Sequence, residues 1–215
     1  MKATFLFKLI FGLLVFLTFS SDLSARIKSM VWGIGPRAGD PMGLSFKYYL
    51  SDDVEYELNL GYTGLFAVHY LTPFGKLEKF ETCFDKDECR SDSLRIAHSY
   101  SAQFNYLFYQ FFPGVDAGNL LWYYGFGGQF RYVNVDYVYE EKIYKENNKV
   151  EWKDNQVYRL YTYDLGFDAI MGLEYVFEKV PITMFFDLNI FYELLDDSGI
   201  FRPQAGFGFR YNHLK

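Results

Sequence analysis

From residue 42 to residue 211 apolar and polar side chains alternate in run after run, and one of the two faces so formed carries no charge. The uncharged register reads Met42, Leu44, Phe46, Tyr48 and Leu50, then Val54, Tyr56, Leu58, Leu60 and Tyr62, then Tyr100, Ala102, Phe104, Tyr106 and Phe108. It resumes with Trp122, Tyr124, Phe126, Phe130 and Tyr132, then at every second position from Leu165 to Phe177 and from Ile182 to Tyr192. The opposite register holds Arg37, Lys47, Glu55, Glu57, Asn59, Arg95, Gln103, Asn105, Gln129, Arg131, Asp164, Asp168, Glu174, Asp187, Asn189, Glu193, Arg202 and Arg210. A period of two belongs to extended strands, whose successive side chains point to opposite faces. The chain is therefore expected to be all-β.

Eight such runs can be marked, at about 31–37, 42–50, 54–66, 94–112, 120–139, 157–178, 182–193 and 201–211. Compact turn chemistry separates runs two and three (Ser51-Asp52-Asp53), four and five (113–119) and six and seven (Lys179-Val180-Pro181). The alternate connections include two long, charged ones, about 67–93 and 140–156. Short turns at one rim and longer loops at the other are characteristic of membrane-spanning β-barrels. Runs five and six exceed the roughly 9–11 residues a strand needs to cross a bilayer, so they are expected to project past the outer surface.

Which face lies inside follows from volume. Eight strands enclose a space only just wide enough for side chains to fill, too small for more than thirty large apolar groups in a chain with 20 Tyr and 24 Phe. Glycines agree, because Gly33, Gly35, Gly61, Gly125, Gly127, Gly166, Gly172, Gly206 and Gly208 all fall on the polar register, where they leave room for neighbouring side chains in a narrow interior. The polar face is thus assigned to the lumen and the apolar face to lipid. Closure removes unpaired edges, as hydrocarbon demands. Tyr48, Tyr56, Trp122, Tyr124, Tyr175, Tyr192 and Tyr211 lie near run ends and suit interfacial girdles.

Both chain ends fit export to such a membrane. Lys2 and Lys8 lead into an uncharged apolar run from Leu9 to Phe19, followed by Ser20, Ser21, Ser24 and Ala25. That is the make-up of a secretory signal peptide, giving residues 1–25 as signal and 26–215 as the barrel domain, with cleavage after Ser20 as the second choice. Residues 1–25 contain Lys2, Lys8 and Asp22, which leaves 19 basic and 26 acidic groups. A net charge of −7 argues against a nucleic-acid partner. No later segment is apolar enough for a membrane helix.

The last run, Gln204 to Tyr211, resembles the C-terminal strand signature of bacterial outer-membrane barrels, with Gln204, Gly206, Phe209 and Tyr211 at its places. The exported chain as a whole resembles the small eight-stranded outer-membrane barrels of the OmpX and OmpA transmembrane-domain kind, and residues 33–49 look like their first hairpin. The resemblance implies an eight-stranded antiparallel up-and-down barrel with a side-chain-filled polar lumen. It also implies an outer-membrane location, contact with outer-membrane lipid and handling by the barrel assembly machinery, with Gln204, Gly206, Phe209 and Tyr211 as the assembly signal. A monomer is expected.

Little in the sequence suggests chemistry. The inward charges Arg37, Lys47, Glu55, Glu57, Arg95, Arg131, Asp164, Asp168, Glu174, Asp187, Glu193, Arg202 and Arg210 nearly balance, which favours an ion-pair network that plugs the pore, since unpaired buried charge is costly. Turn counting puts Arg131 level with Asp164, and Glu174 near Arg210. Cys83 and Cys89 are expected to form a disulfide clip; Asp85, Asp87 and Glu88 between them lack the spacing of a known calcium loop. His98 beside Ser99 and Ser101 suggests a lipid hydrolase, but on a strand it faces away from both serines and has no acidic orienter. No cofactor motif is present, and a non-enzyme is expected. Two function classes remain. One is a structural or adhesion-like barrel meeting an extracellular protein or polymer through its loops. The other is a narrow porin, or a transport barrel whose Tyr132, Tyr137, Tyr139, Tyr158, Tyr161 and Tyr163 hold a small amphipathic molecule.

Overall fold

The computed structural model describes residues 30–51, 53–63, 88–111, 120–144, 150–177, 180–195, 199 and 201–215. Eight strands follow in order: β1 (Met30–Gly39), β2 (Met42–Tyr49), β3 (Val54–Tyr62), β4 (Cys89–Phe111), β5 (Leu120–Tyr144), β6 (Val150–Val176), β7 (Ile182–Glu193) and β8 (Phe201–Leu214). Each pairs antiparallel with its sequence neighbour, and β1 pairs with β8 to close an up-and-down barrel. The segments expected to hold the signal peptide and Cys83 lie outside the described residues.

The register of each strand follows from its alternation. A slip of one residue would turn a whole apolar row into the lumen. Leu44, Phe104, Phe126, Phe167, Met171, Leu188 and Phe207 all stand exposed on the outer wall, Phe126 at 60%. Between them Lys47, Glu57, Gln103, Arg131, Asp187 and Arg210 are buried inside. Glycine creates the room they need: a Cβ at Gly206 would fall on the Arg37 guanidinium, and one at Gly166 would meet the Phe191 ring. The strand β8 carries this pattern to the chain end, with Arg210 and Asn212 inward and Phe209 and Tyr211 outward.

Two strand boundaries differ from the sequence expectation. The charged stretch 140–156 is mostly strand, because β5 runs to Tyr144 and β6 starts at Val150. Residues 89–93 likewise belong to β4 rather than to a loop. These segments carry charged residues on both registers, so the apolar-polar alternation that marks a strand is lost there. The extension therefore comprises three strands, β4, β5 and β6, with 23, 25 and 27 residues.

Candidate functional site

The lumen is layered. At the rim of the short turns an apolar floor is built from Met30, Leu107, Tyr109, Leu121, Tyr123, Ile170 and Val176. Above it Lys47, on β2, sits 2.6 Å from Glu174 and 3.4 Å from Glu55, and it also donates to the Tyr109 hydroxyl. Arg210, on β8, completes the layer: it pairs with Glu57, reaches Glu174 at 3.3 Å and donates through Nε to Ser45 at 3.0 Å. Its guanidinium lies 3.7 Å from the centre of the Phe185 ring. These groups come from β2, β3, β4, β6, β7 and β8, so the contacts tie the wall together across the bore.

Higher in the lumen Arg37 holds Asp187 through two hydrogen bonds, the Nη2–Oδ1 contact being 2.7 Å. Asp168 accepts from Asn189 at 2.9 Å, and Arg131 donates to Gln129 at 3.2 Å while lying over the Phe191 ring. Arg131 and Asp164 are direct cross-strand partners. Near the other rim Arg202 pairs with Glu193 at 2.5 Å. Charge pairs of this kind act as cross-braces: removing one member leaves the other unpaired in a low-dielectric interior.

One inward assignment from the sequence is wrong. Arg95 points outward, its side chain 67% exposed and 3.3 Å from Asp136. The cause is a bulge between Ile96 and His98; one extra residue exchanges the two faces of a strand from that point on. Odd-numbered residues of β4 face the lumen up to Ser99, but beyond the bulge Ile96 and Leu94 take that side.

The tyrosines proposed to share one ligand are likewise divided. Tyr132, Tyr161 and Tyr163 stack on the outer wall, whereas Tyr137 is buried on the inner side against Tyr158. Tyr132 and Tyr163 belong to a row that the alternation alone does not reveal: Tyr62, Tyr100, Tyr132 and Tyr163 are successive register partners across β3 to β6. The signal was present as single tyrosines ending four alternating runs, but their common height depends on register. His98 stacks on Tyr100, while Ser99 donates to the Thr63 carbonyl and Ser101 accepts from Gln129, so histidine and serines serve opposite faces.

Directly above this tyrosine row the two faces exchange character. Below it β5 shows Phe126, Phe130 and Tyr132 outward and Gln129 and Arg131 inward; above it Val133, Val135 and Tyr137 are buried inward, and Asn134 and Asp136 share the outer register. Leu94 and Ile96 from β4 and Tyr158 and Leu160 from β6 pack on the same inner cluster. A sheet whose outer side is polar and inner side apolar belongs in water, and one that is apolar outside belongs in lipid. The exchange divides the barrel wall into a lower part with an apolar exterior and an upper part with a polar one.

No family model and no curated protein matches the chain. Among solved structures it is similar to the N-terminal β-barrel domain of Pseudomonas aeruginosa OprF, with 16% identity and a TM-score of 0.44, over 85% of this chain and 94% of that one.

Above the tyrosine row, β3 pairs with β4 only over Tyr100–Phe108, and β7 pairs with β6 only over Gly166–Val176. Among the described residues, 89–98 and 156–164 thus have no register partner in β3 or β7, while Cys89, Tyr158 and Asp164 keep other interactions. The two edges differ. The β4 edge is interrupted by bulges at Ser91/Ser93 and Ile96/His98, devices that discourage strand addition. The β6 edge from Gln156 to Asp164 has no bulge and contains Val157, Tyr158, Tyr161, Thr162 and Tyr163, residue types that favour strands. Of the two proposed disulfide partners, Cys89 is buried at the start of β4 and Cys83 lies outside the described residues.

Proposed function

We propose that this chain is an integral outer-membrane barrel whose work is done outside the cell by the β4–β6 ribbon, as a surface-interaction or adhesion-like protein. The observation that supports this most is the exchange of faces along β5, which sets a ribbon with a polar outer side above a wall with an apolar exterior. Such a ribbon presents exposed side chains such as Arg95, Val157 and Arg159 to an extracellular partner. The cross-braced lumen favours a plug over a conduit, and among the described residues His98 and the lumen-facing Ser99 and Ser101 stand on opposite faces. In this proposal Gln204, Gly206, Phe209 and Tyr211 on β8 guide assembly, Cys83 and Cys89 form a small disulfide clip, and the barrel is a monomer in outer-membrane lipid.

The test removes the ribbon and keeps the ring. Joining Val135 to Leu160, which are register partners, through an Asn-Gly turn preserves β5–β6 pairing at the membrane level. The shortened chain is expected to keep the heat-modifiable band of a folded barrel and to lose adhesion of expressing bacteria to protein-coated surfaces. Equal adhesion by both forms sinks the proposal. Planar-bilayer recordings check the plug, for which no discrete open-channel steps are expected.

A further inference from the structure

We propose that the outward face of the ribbon is a docking surface for a lipid headgroup carrying more than one phosphate, centred on Arg95 and Arg159. This rests on the outer-membrane reading above. Arg95 on β4 and Arg159 on β6 flank Asp136 on β5, at 3.3 Å and 3.4 Å from its two carboxylate oxygens. Asp136 is almost wholly covered by them, whereas the arginine side chains remain 67% and 62% exposed. One carboxylate thus orients two guanidiniums and neutralises only one, leaving a positive charge and spare donors facing outward.

Their position gives the partner its class. Asp136 lies four residues above Tyr132 on the same face, about 13 Å along the strand, and the Tyr62, Tyr100, Tyr132 and Tyr163 row marks the edge of the hydrocarbon. Immediately below, the outer wall has a groove of 450 Å³ lined by Leu60, Ala102, Phe130 and the girdle residues Tyr100 and Tyr132, with Gly61 in its floor. A groove that accepts an acyl chain and a cationic pair at headgroup height are the two halves of a lipid site. The arginines come from strands on either side of β5 and converge on one carboxylate, so each guanidinium offers a phosphate the donors it does not turn toward Asp136.

Farther up the ribbon, Arg90 and Lys142 lie against Trp152, at 4.1 Å and 5.5 Å from its ring centre. There the cations are matched by Glu140 and by Glu88, whose backbone pairs with Lys142, with Asp92 and Asp154 at the bulges, so the positive excess is confined to the Arg95 and Arg159 cluster nearest the tyrosine row. Basic groups close to an anionic membrane surface are attracted to its phosphates.

The test uses the full barrel in nanodiscs of phosphatidylcholine with added diphosphoryl lipid A, and counts bound lipid by native mass spectrometry. Arg95→Gln with Arg159→Gln is expected to lower lipid A retention by roughly fivefold for each arginine removed. Asp136→Asn, which frees both guanidiniums from their shared carboxylate, is expected to raise it. Monophosphoryl lipid A should be held less tightly than the diphosphoryl form by the wild type and equally poorly by the double variant. Equal diphosphoryl lipid A retention by wild type and double variant, or weaker retention by Asp136→Asn, overturns the proposal. Carbonate-resistant insertion into phosphatidylcholine vesicles is read first. A chain that fails to insert refutes the outer-membrane reading and this proposal together, whereas an inserted chain indifferent to the arginines refutes this proposal alone.

Discussion

The ring and the ribbon are made from the same strands, yet they are built to opposite rules. In the lower half of β5 the outer face is aromatic and the inner face holds Gln129 and Arg131; in the upper half the outer face holds Asn134 and Asp136 and the inner face Val133, Val135 and Tyr137. The strand continues without a break, and in the outer-membrane reading proposed above only its solvent changes. Lipid outside the ring would forbid charge there and leave the polar groups to pair in the lumen. Water outside the ribbon would permit charge, with the apolar groups packed inward as in a soluble sheet. Three strands with one apolar face are enough for such a sheet to hold together in water.

That contrast can be broken at several points, the largest effect lying in the lumen. Arg210→Met leaves Glu57 and Glu174 short of their shared cation and is expected to cost about 3–5 kcal/mol, the range for breaking a buried pair, measured by denaturant unfolding in lipid vesicles. A loss under 1 kcal/mol would mean that the brace is dispensable. Next comes the lipid face: Ala169→Arg, midway between Tyr163 and Tyr175 on β6, is expected to cost about 2–4 kcal/mol in the same assay. The matching change on the ribbon, Val157→Arg, also points outward but into water, and should stay within about 0.5 kcal/mol. Similar costs at the two positions would show that the exchange of faces is not the membrane boundary.

The smallest perturbation is isotopic. Amides of 166–176, held between β5 and β7, should exchange slowly throughout. In 156–164, where β7 supplies no register partner, alternate amides should exchange faster than those of 166–176. Equal protection of the two segments would erase this difference between ring and ribbon.

The legibility of the sequence followed the same boundary. Where the outer wall is apolar, alternation holds at every position, and the strands β2, β3 and β7 could be placed within a few residues from the sequence. Where the outer side turns polar the pattern relaxes, and the upper parts of β5 and β6, rich in charge on both faces, are indistinguishable from a loop. The pairing of Arg131 with Asp164 across β5–β6 could be anticipated by counting from a short turn, because antiparallel register is fixed by its turn. The meeting of Lys47, Glu174 and Arg210 could be counted only in part, since β2 reaches β6 across the bore and not through any turn.

The sequence by itself determined the strand period, the polarity of the two faces and the number of runs, because each is a local consequence of a side chain alternating between lipid and lumen. Tertiary structure decided what depends on two strands at once: the bulge that carries Arg95 from the inner list to the outer face, the shared height of four tyrosines, and the point where inside and outside exchange character. A bulge is one residue out of step with a partner, and no strand can reveal alone what it is out of step with.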